Sequence, residues 1–258
     1  MKSNKALKLT FIGIIILIAT IVLSVTYGSK NVGLSDVIDA FLGTNLDSYN
    51  VNVVRARIPR TIFGLIAGAS LSVSGLLMQS ITKNPIADPS ILGVNTGASL
   101  FIVFGISFLN IQSKLAYIGL SFCGAILTAL FVYKLASIGY GGPSPIKLAI
   151  SGAAISTALA SFVSLIVMPD SSVMTTYRFW QIGSIGGTDF FDIVLILPFF
   201  LLSITISLAM SDNLNTLCLS EETAISLGLN VNSAKALAAF CGVLLCSTTT
   251  ALAGPISF

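Results

Sequence analysis

Two arginines near residue 60 are the side chains best suited to recognise charged groups. They lie three residues apart in the motif Arg57-Ile58-Pro59-Arg60. Side chains at this spacing project from one face of a helix, so at a helix start the pair would present two guanidinium forks. Each fork matches a carboxylate bidentately. The spacing therefore predicts recognition of two carboxylates, and anchoring to lipid headgroup phosphates explains the residues equally well.

A short stretch near residue 224 predicts a two-turn helix. Its sequence begins with a capping residue and two acidic residues suited to a helix N-terminus, and it ends with a glycine suited to a left-handed stop: Ser220, Glu221, Glu222 and Gly228. Ala224 and Leu227 share one face. Such a short helix is marginal alone, so its apolar face indicates docking into a partner's groove. A helix lying on the membrane interface is the alternative.

The stretch from residue 84 to residue 93 carries signals that end one helix and begin another. Asn84-Pro85 ends a helix, because the residue before proline is pushed out of the α region. Asp88-Pro89 begins one, since aspartate is a good N-cap and proline suits the first turn. The sequence therefore predicts a structured loop between two helices.

Several other chemistries are excluded by residue types. The chain has no histidine, which excludes imidazole metal ligation and histidine acid–base catalysis. Its four cysteines form no C-x-x-C pair, and we expect neither a metal nor a cofactor. The sequence lacks a G-x-x-x-x-G-K-[ST] phosphate loop, so the chain cannot itself hydrolyse ATP. A net charge of +3 is too small to indicate nucleic acid.

The elements that must position these residues are seven apolar stretches of about twenty residues, the length that a bilayer core requires. Hydrophobic residues make up 55% of the 258 residues and charged residues 9%, which excludes a soluble domain of this size. In hydrocarbon every backbone polar group must be satisfied within its own segment, so the spans are helices. The sequence predicts an all-α, polytopic transmembrane helical bundle in a single domain, residues 1–258. The expected spans are Leu9–Tyr27, Thr61–Ile81, Ser90–Leu109, Leu115–Ala136, Ile146–Met168, Phe191–Met210 and Ala234–Ala253.

Loop charges orient these spans. Three lysines before the first span place the N-terminus in the cytoplasm by the positive-inside rule. Threading the seven spans puts seven basic residues inside and six outside, which supports this orientation only weakly. Seven of the nine lysines fall inside, whereas all four arginines fall outside. This distribution suggests carboxylate recognition on the outer face, and anchoring to headgroup phosphates at the interface explains it equally well.

Small residues crowd the second and fifth spans. In the second they recur at steps of four and three, at Gly64, Gly68, Ser72 and Gly75. Such faces predict close helix packing in lipid, and lining a passage for a bulky solute is the alternative. The middles of the spans carry no Asp, Glu or Lys, which argues against an ion- or proton-coupled transporter.

Five motifs occur in one order across almost the whole chain. They are Arg57-Ile58-Pro59-Arg60, the stretch Gly75–Gly93 with its Asn84-Pro85-x-Ala87-Asp88-Pro89-x-x-Leu92-Gly93 core, Phe179-Trp180-x-x-Gly183-Ser184, Glu221-x-x-Ala224-x-x-Leu227-Gly228 and Ala253-Gly254-Pro255-Ile256-x-Phe258. Together they make the chain resemble the FecCD-type permeases for iron chelates and cobalamin, which are the membrane subunits of type II ATP-binding-cassette importers.

The resemblance implies an assembly and roles for named residues. Family members are homo- or heterodimers of ten-helix subunits around a central path, and each subunit docks on a cytoplasmic ATPase through the short helix Glu221–Gly228. Arg57 and Arg60 resemble the arginines that engage glutamates on an extracytoplasmic solute-binding protein. Residues resembling the family's cytoplasmic gate and loop are Asn84, Pro85, Asp88, Pro89, Gly93 and Ser144.

The function implied is that of a permease subunit in the cell membrane, surrounded by lipid and without an enzyme activity of its own. Its cargo would be a ferric siderophore, because this is the most frequent cargo in the family, with haem or cobalamin as alternatives. A secondary transporter and a membrane-embedded lipid-modifying enzyme are the competing classes. An enzyme of this kind would need paired carboxylates, a histidine cluster or an activated nucleophile at membrane depth.

The C-terminus departs from the family pattern. The chain stops at the motif Gly254–Phe258, which family members continue into further helices. We expect about seven helices of ten to be present, so the domain would be incomplete at its C-terminus. Without the remaining helices, small-residue faces would meet lipid, and the chain alone is expected to insert into a membrane without supporting uptake.

Overall fold

The computed structural model describes residues 2–28, 30–45, 48–139 and 143–256. Within those ranges every regular element is helical, which confirms the all-α prediction. The α-helices are α1 (Lys2–Thr26), α2 (Leu34–Leu42), α3 (Tyr49–Thr82), α4 (Val94–Leu109), α5 (Lys114–Ala136), α6 (Pro145–Val167), α7 (Ser171–Ile182), α8 (Phe190–Ala209), α9 (Ser211–Leu219), α10 (Glu221–Ser226) and α11 (Val231–Ala253), and a 3-10 helix covers Pro89–Leu92.

The described residues form two compact units. The first consists of residues from the range 1–65 together with 186–190, and the second of residues from the ranges 66–185 and 191–258. In the first unit, α1, α2 and the first half of α3 pack around a small apolar core. Its buried members are Val25, Val32, Ala40, Val51 and Val54.

Six of the described helices are long and apolar enough to cross a membrane: α1 from Leu7, α3, α5, α6, α8 and α11. They correspond to six of the seven expected spans. The third expected span, Ser90–Leu109, is divided at Gly93, whose φ of +74° lies in the left-handed region that ends a helix. Only α4, with 16 residues, continues beyond it. At 1.5 Å per residue α4 is about 24 Å long, short of the roughly 30 Å hydrocarbon core.

The short length of α4 follows from where the preceding turn lies. Pro89 and Leu92 are buried, and the turn packs against α5, α6 and α11. Asp88 lines a small cleft with Leu71 of α3 and Cys246 of α11. Leu71 precedes the end of α3 at Thr82 by 11 residues, about 16 Å along a helix axis. The loop expected at the cytoplasmic edge therefore turns back into the second unit, and α4 starts inside it.

Glycines allow α4 to approach α5 closely and α6 to approach the 3-10 turn closely. A Cβ at Gly97 of α4 would lie 2.5 Å from the carbonyl oxygen of Gly124 of α5, and a Cβ at Gly124 would lie 2.5 Å from that of Gly97. A Cβ at Gly152 of α6 would lie 1.7 Å from the Ile91 carbonyl oxygen. By contrast, a Cβ at Gly68 of α3 would meet no described atom within 4 Å. Close packing by small residues thus occurs, but mainly at glycines other than those that the sequence pattern of α3 indicated.

The last helix, α11, is the most enclosed of the six long helices. Within an apolar stretch of 18 residues, 78% of the residues of α11 are buried, against 11–39% in the other five helices. It packs against α4, α5, α9 and α10. From α3, the Ser74 hydroxyl donates a hydrogen bond of 2.5 Å to the Gly242 carbonyl oxygen of α11. Such a bond satisfies a hydroxyl that would otherwise be buried without a partner.

We expect Gly124→Val to destabilise the second unit, because its side chain would collide with the Gly97 carbonyl and with Phe101. Overpacking of this kind costs about 1–3 kcal/mol or more. Gly119→Val is the matched control on the same helix, since a Cβ there meets no described atom within 4 Å. Thermal unfolding in detergent measures both variants, and equal midpoints would contradict the close packing of α4 on α5.

Candidate functional site

Arg57 is buried in the first unit and bonded to backbone carbonyls. Its side chain is 7% exposed. Nη1 donates to the carbonyl oxygens of Val25 (3.0 Å) and Thr26 (3.1 Å), and Nη2 donates to that of Lys30 (2.6 Å). A Cβ at residue 28 would lie 2.6 Å from Nη2, so Gly28 leaves the room for the guanidinium. Arg57 thus satisfies carbonyls at the C-terminal end of α1, which have no partner within their own helix.

The two arginines of the motif therefore have different surroundings. The expectation of a helix start at this motif is wrong, because α3 begins at Tyr49 and runs on through Pro59. Arg60 is half-buried and Arg55 is exposed. The fork of Arg57 is directed to its own chain, so an outward pair of forks is not the arrangement here. The docking role of the motif stays a prediction.

The loop after α3 has the turn chemistry expected from its sequence. The Asn84 side-chain oxygen accepts a hydrogen bond from the Ile86 amide (3.0 Å), and both Asn84 and Pro85 are exposed. Asp88 caps the 3-10 helix by accepting from the Ser90 amide (2.7 Å) and the Ser90 hydroxyl. The predicted restart at Asp88-Pro89 is confirmed, although the helix it begins is the 3-10 turn that ends at Gly93.

Ser144 caps the start of α6. Its hydroxyl oxygen accepts a hydrogen bond from the Lys147 amide (3.3 Å), and Pro145 occupies the first helical position. The Lys147 ammonium also donates to the carbonyl of Ile138 (3.3 Å), just after the end of α5. These contacts fix the entry into α6. A role of Ser144 in a gate stays a prediction.

The predicted short helix exists as α10, and its caps match the sequence signals. The Ser220 hydroxyl oxygen accepts a hydrogen bond from the Thr223 amide (3.0 Å). At the other end, the Leu229 amide donates to the Ala224 carbonyl (3.0 Å) and the Gly228 amide to the Ile225 carbonyl (2.9 Å). With Gly228 at a φ of +84°, this is a Schellman C-cap.

The outward face of α10 differs from the expected one. The Ala224 side chain is fully buried and belongs to the apolar core that includes residues of α9 and α11. The expectation that Ala224 faces outward is therefore wrong, because the helix needs its smallest apolar residue against its own chain. Ile225 and Leu227 are 63% and 67% exposed, and Glu222 is exposed beside them. Two large apolar side chains thus project from α10 and its C-cap residue.

A polar cavity of about 540 Å³ opens between α4, α6 and α7. Its polar walls carry only hydroxyl and amide groups: Asn95, Thr96, Ser99, Ser164, Tyr177 and Gln181. The sequence interpretation missed this site, although the sequence itself contains a signal for the site. Asn95 and Ser99 recur at a step of four in an apolar helix, as do Tyr177 and Gln181 in α7.

Hydrogen bonds and a helix cap hold the cavity walls. The Thr250 hydroxyl of α11 donates to the Asn95 side-chain oxygen (3.1 Å). Asp170 caps α7, accepting hydrogen bonds from the amides of Ser172 (2.8 Å) and Val173 (3.3 Å). The Ser172 side chain, followed by these two amides, holds the pKa of Asp170 below its ordinary value. Asp170 therefore stays ionised and caps α7 at neutral pH.

The ends of α7 and α11 are joined through two glycines. A Cβ at Gly183 would lie 2.6 Å from the Ala253 carbonyl oxygen, and one at Gly254 would lie 2.5 Å from the Trp180 carbonyl oxygen. The Ser184 amide donates to the Ala253 carbonyl (2.8 Å). Two of the sequence motifs, one at the end of α7 and one at the end of α11, thus meet in space.

An ion pair that the sequence interpretation did not single out links α5 and α8. The Lys114 ammonium contacts the carboxylate of Asp192, which is only 8% exposed. Both residues lie at the start of their helices, where a carboxylate is also favoured by the helix dipole. Within the described residues, no three His, Cys, Asp or Glu side chains are grouped as a metal site would require.

Comparison with known families gives a match along most of the chain. The model of the FecCD transport family matches residues 16–258. The probable siderophore transport system permease protein YfiZ of Bacillus subtilis is 36% identical, with 95% of this chain and 74% of that protein covered. The ferric enterobactin transport system permease protein FepD of Escherichia coli is also 36% identical, with 95% and 73% covered.

More distant proteins extend the comparison. The cobalamin import system permease protein BtuC of Halobacterium salinarum is 31% identical over 215 residues, covering 82% of this chain and 57% of that protein. A solved structure of a metal-chelate type ABC transporter in an inward-facing conformation superposes with a TM-score of 0.81 at 24% identity. It covers 97% of this chain and 76% of the other. The fold is that of an ABC transporter permease.

Arg57→Gln should loosen the end of α1, because a neutral amide cannot replace the hydrogen bonds that the guanidinium makes to three carbonyls. Hydrogen bonds from a charged group contribute about 1.5–3 kcal/mol each, so a loss of at least about 2 kcal/mol is expected. Hydrogen exchange of the backbone amides from residue 23 to residue 33 measures the effect, with the exposed Arg55→Gln as control. Unchanged protection in Arg57→Gln would show that this contact does not hold the segment.

Proposed function

Because the chain belongs to the FecCD transport family, we propose that it imports a ferric siderophore as the membrane-spanning permease subunit of an ATP-binding-cassette importer. The chain is a multi-pass cell-membrane protein and a transport subunit rather than an enzyme. The observation that carries the function is the family match over residues 16–258. Two relatives at 36% identity that are named for siderophore and ferric enterobactin transport support an iron chelate. A relative named for cobalamin import is 31% identical, so cobalamin is the second candidate cargo.

Energy for transport would come from a cytoplasmic ATPase partner, since the sequence lacks a phosphate loop. The proposed docking element is α10 together with its C-terminal cap, residues Glu221–Gly228. Its exposed Ile225 and Leu227 form an apolar surface beside the exposed Glu222. Apolar side chains on a short exposed helix fit a groove of a partner protein. Movement of the ATPase subunits would reach the membrane helices through the core that Ala224 shares with α9 and α11.

On the opposite side of the membrane, a solute-binding protein would dock near the arginine motif. Arg60 is half-buried and is the member of the pair proposed to meet a carboxylate directly. Arg57 would support docking by holding the segment after α1. The segments around Asn84-Pro85 and Ser144 are the proposed cytoplasmic gate and loop, between α3 and α4 and before α6.

A second permease subunit is the proposed neighbour of α6. Many of its small residues are exposed in this chain, among them Ala153, Ala154, Thr157 and Ser161. Within an apolar stretch of 18 residues of α6, only 17% of the residues are buried. Small side chains permit a close approach of helices in lipid, which suits a subunit interface along a transport path.

Uptake of radioactive ferric siderophore tests the function. Cells that lack their own ferric siderophore permeases would express the full reading frame together with a cognate ATPase and a cognate solute-binding protein. Uptake should require an intact ATPase and resist dissipation of the proton gradient. ATPase-independent uptake that stops when the gradient is dissipated would instead indicate a secondary transporter.

Ile225→Glu with Leu227→Glu should release the ATPase on detergent purification, because two carboxylates cannot enter an apolar groove without a large desolvation cost. Ile138→Glu is the matched control, since this cytoplasmic loop residue is 69% exposed. Ala224→Arg is expected to reduce folded protein instead, because that side chain is fully buried. Normal co-purification of the ATPase with the double variant would exclude α10 as the docking element.

A further inference from the structure

We propose that the cavity between α4, α6 and α7 binds iron chelates of zero or positive net charge and disfavours polyanionic chelates. The inference rests on the proposed function and narrows its substrate class. It concerns the charge of the solute that these walls can hold. A trihydroxamate complex of ferric iron is neutral or carries one positive charge, depending on its backbone, whereas a tris-catecholate complex carries three negative charges.

The walls offer hydrogen bonds without formal charge. Each described polar side chain that lines the cavity is a hydroxyl or an amide, on Asn95, Thr96, Ser99, Ser164, Tyr177 or Gln181. The other lining residues are Ala160, Val163 and Pro255. Hydroxyl and amide groups both donate and accept hydrogen bonds. They can replace the hydration of neutral carbonyl and amide groups on a chelate, and the volume of about 540 Å³ lies within the roughly 300–1,000 Å³ of small-molecule sites.

The charge placed next to this cavity has the wrong sign for an anion. Asn95 also lines the small cleft that contains Asp88. Asp88 is half-buried, and its hydrogen bonds come from the neutral Ser90. The Asp88 carboxylate would therefore repel an anionic solute and attract a cationic one across the Asn95 side chain. Arg178 follows Tyr177 on α7 but is exposed and does not line the cavity.

Desolvation decides which solutes these walls accept. An anion that leaves water for a cavity without a positive group loses hydration that neutral donors replace only in part. A chelate with three negative charges suffers this loss most, and its repulsion from Asp88 adds to it. A neutral or monocationic chelate exchanges hydration for hydroxyls and amides at much lower cost. The cavity should therefore rank chelates by charge.

Direct binding in nanodiscs of zwitterionic lipid tests the ranking without the partner subunits. Trp180 is the only tryptophan of the chain, and its ring stacks on Tyr177 of the cavity wall with a centroid distance of 6.2 Å. Ferric chelates absorb at the wavelengths of tryptophan emission, so binding quenches Trp180, with free N-acetyltryptophanamide as the correction for absorption. A neutral trihydroxamate chelate should bind at least about tenfold more tightly than a tris-catecholate chelate.

A charge variant of the wall separates the cavity from the rest of the surface. Gln181→Lys should lower the ratio of the trihydroxamate affinity to the tris-catecholate affinity by about tenfold, because a cation then faces the solute. Thr175→Lys adds the same charge to an exposed position of α7 outside the wall and should leave the ranking unchanged. Equal or tighter binding of the tris-catecholate chelate, a ranking that Gln181→Lys leaves unchanged, or the absence of saturable binding by every chelate would each overturn the proposal. ATPase-dependent uptake is measured independently, so the importer function can hold while the charge preference fails.

Discussion

The close contact of α4 with its neighbours is the constraint on which the second unit depends. Gly97 and Gly124 let the backbones of α4 and α5 approach to a distance that excludes even a methyl group, and Gly152 does the same for the turn before α4. Lipid tails are as apolar as the helices, so no hydrophobic force holds helices together in a bilayer. Van der Waals contact at such glycines therefore seats α4, and α4 in turn supplies one wall of the polar cavity.

Three pairs of polar groups within this apolar chain connect separate helices. Asn95 accepts from Thr250 across α4 and α11, Ser74 donates to a carbonyl of α11, and Asp192 pairs with Lys114. Unpaired polar groups are expensive in hydrocarbon, so each pair ties its helices at one register. Among the described residues, four buried serine hydroxyls have no hydrogen-bond partner: Ser70, Ser121, Ser203 and Ser247. Serine is small enough to serve in such places as a packing residue.

Sequence reasoning predicted local features of the candidate sites well and their orientation less well. The caps by Ser220 and Asp88 and the glycine stop at Gly228 are formed by neighbours within a few residues, so the sequence contains their whole cause. Which side of α10 faces outward depends on how the helix packs against α9 and α11. That packing buries Ala224, which the sequence pattern placed on the outward face. Arg57 likewise meets carbonyls about 30 residues earlier in the chain, a contact that no local pattern encodes.

The sequence by itself determined the class of this protein: apolar spans of bilayer length must be helices, and ordered motifs identify the transport family. It also determined where helices are capped, because capping is local. Only the tertiary structure decided that the segment from Asp88 to Gly93 turns back into the second unit, and that Asn95, Ser164 and Gln181 line one cavity. These placements arise from contacts between helices that lie far apart in the chain, and a periodicity of 3.6 residues specifies a face without naming its neighbour.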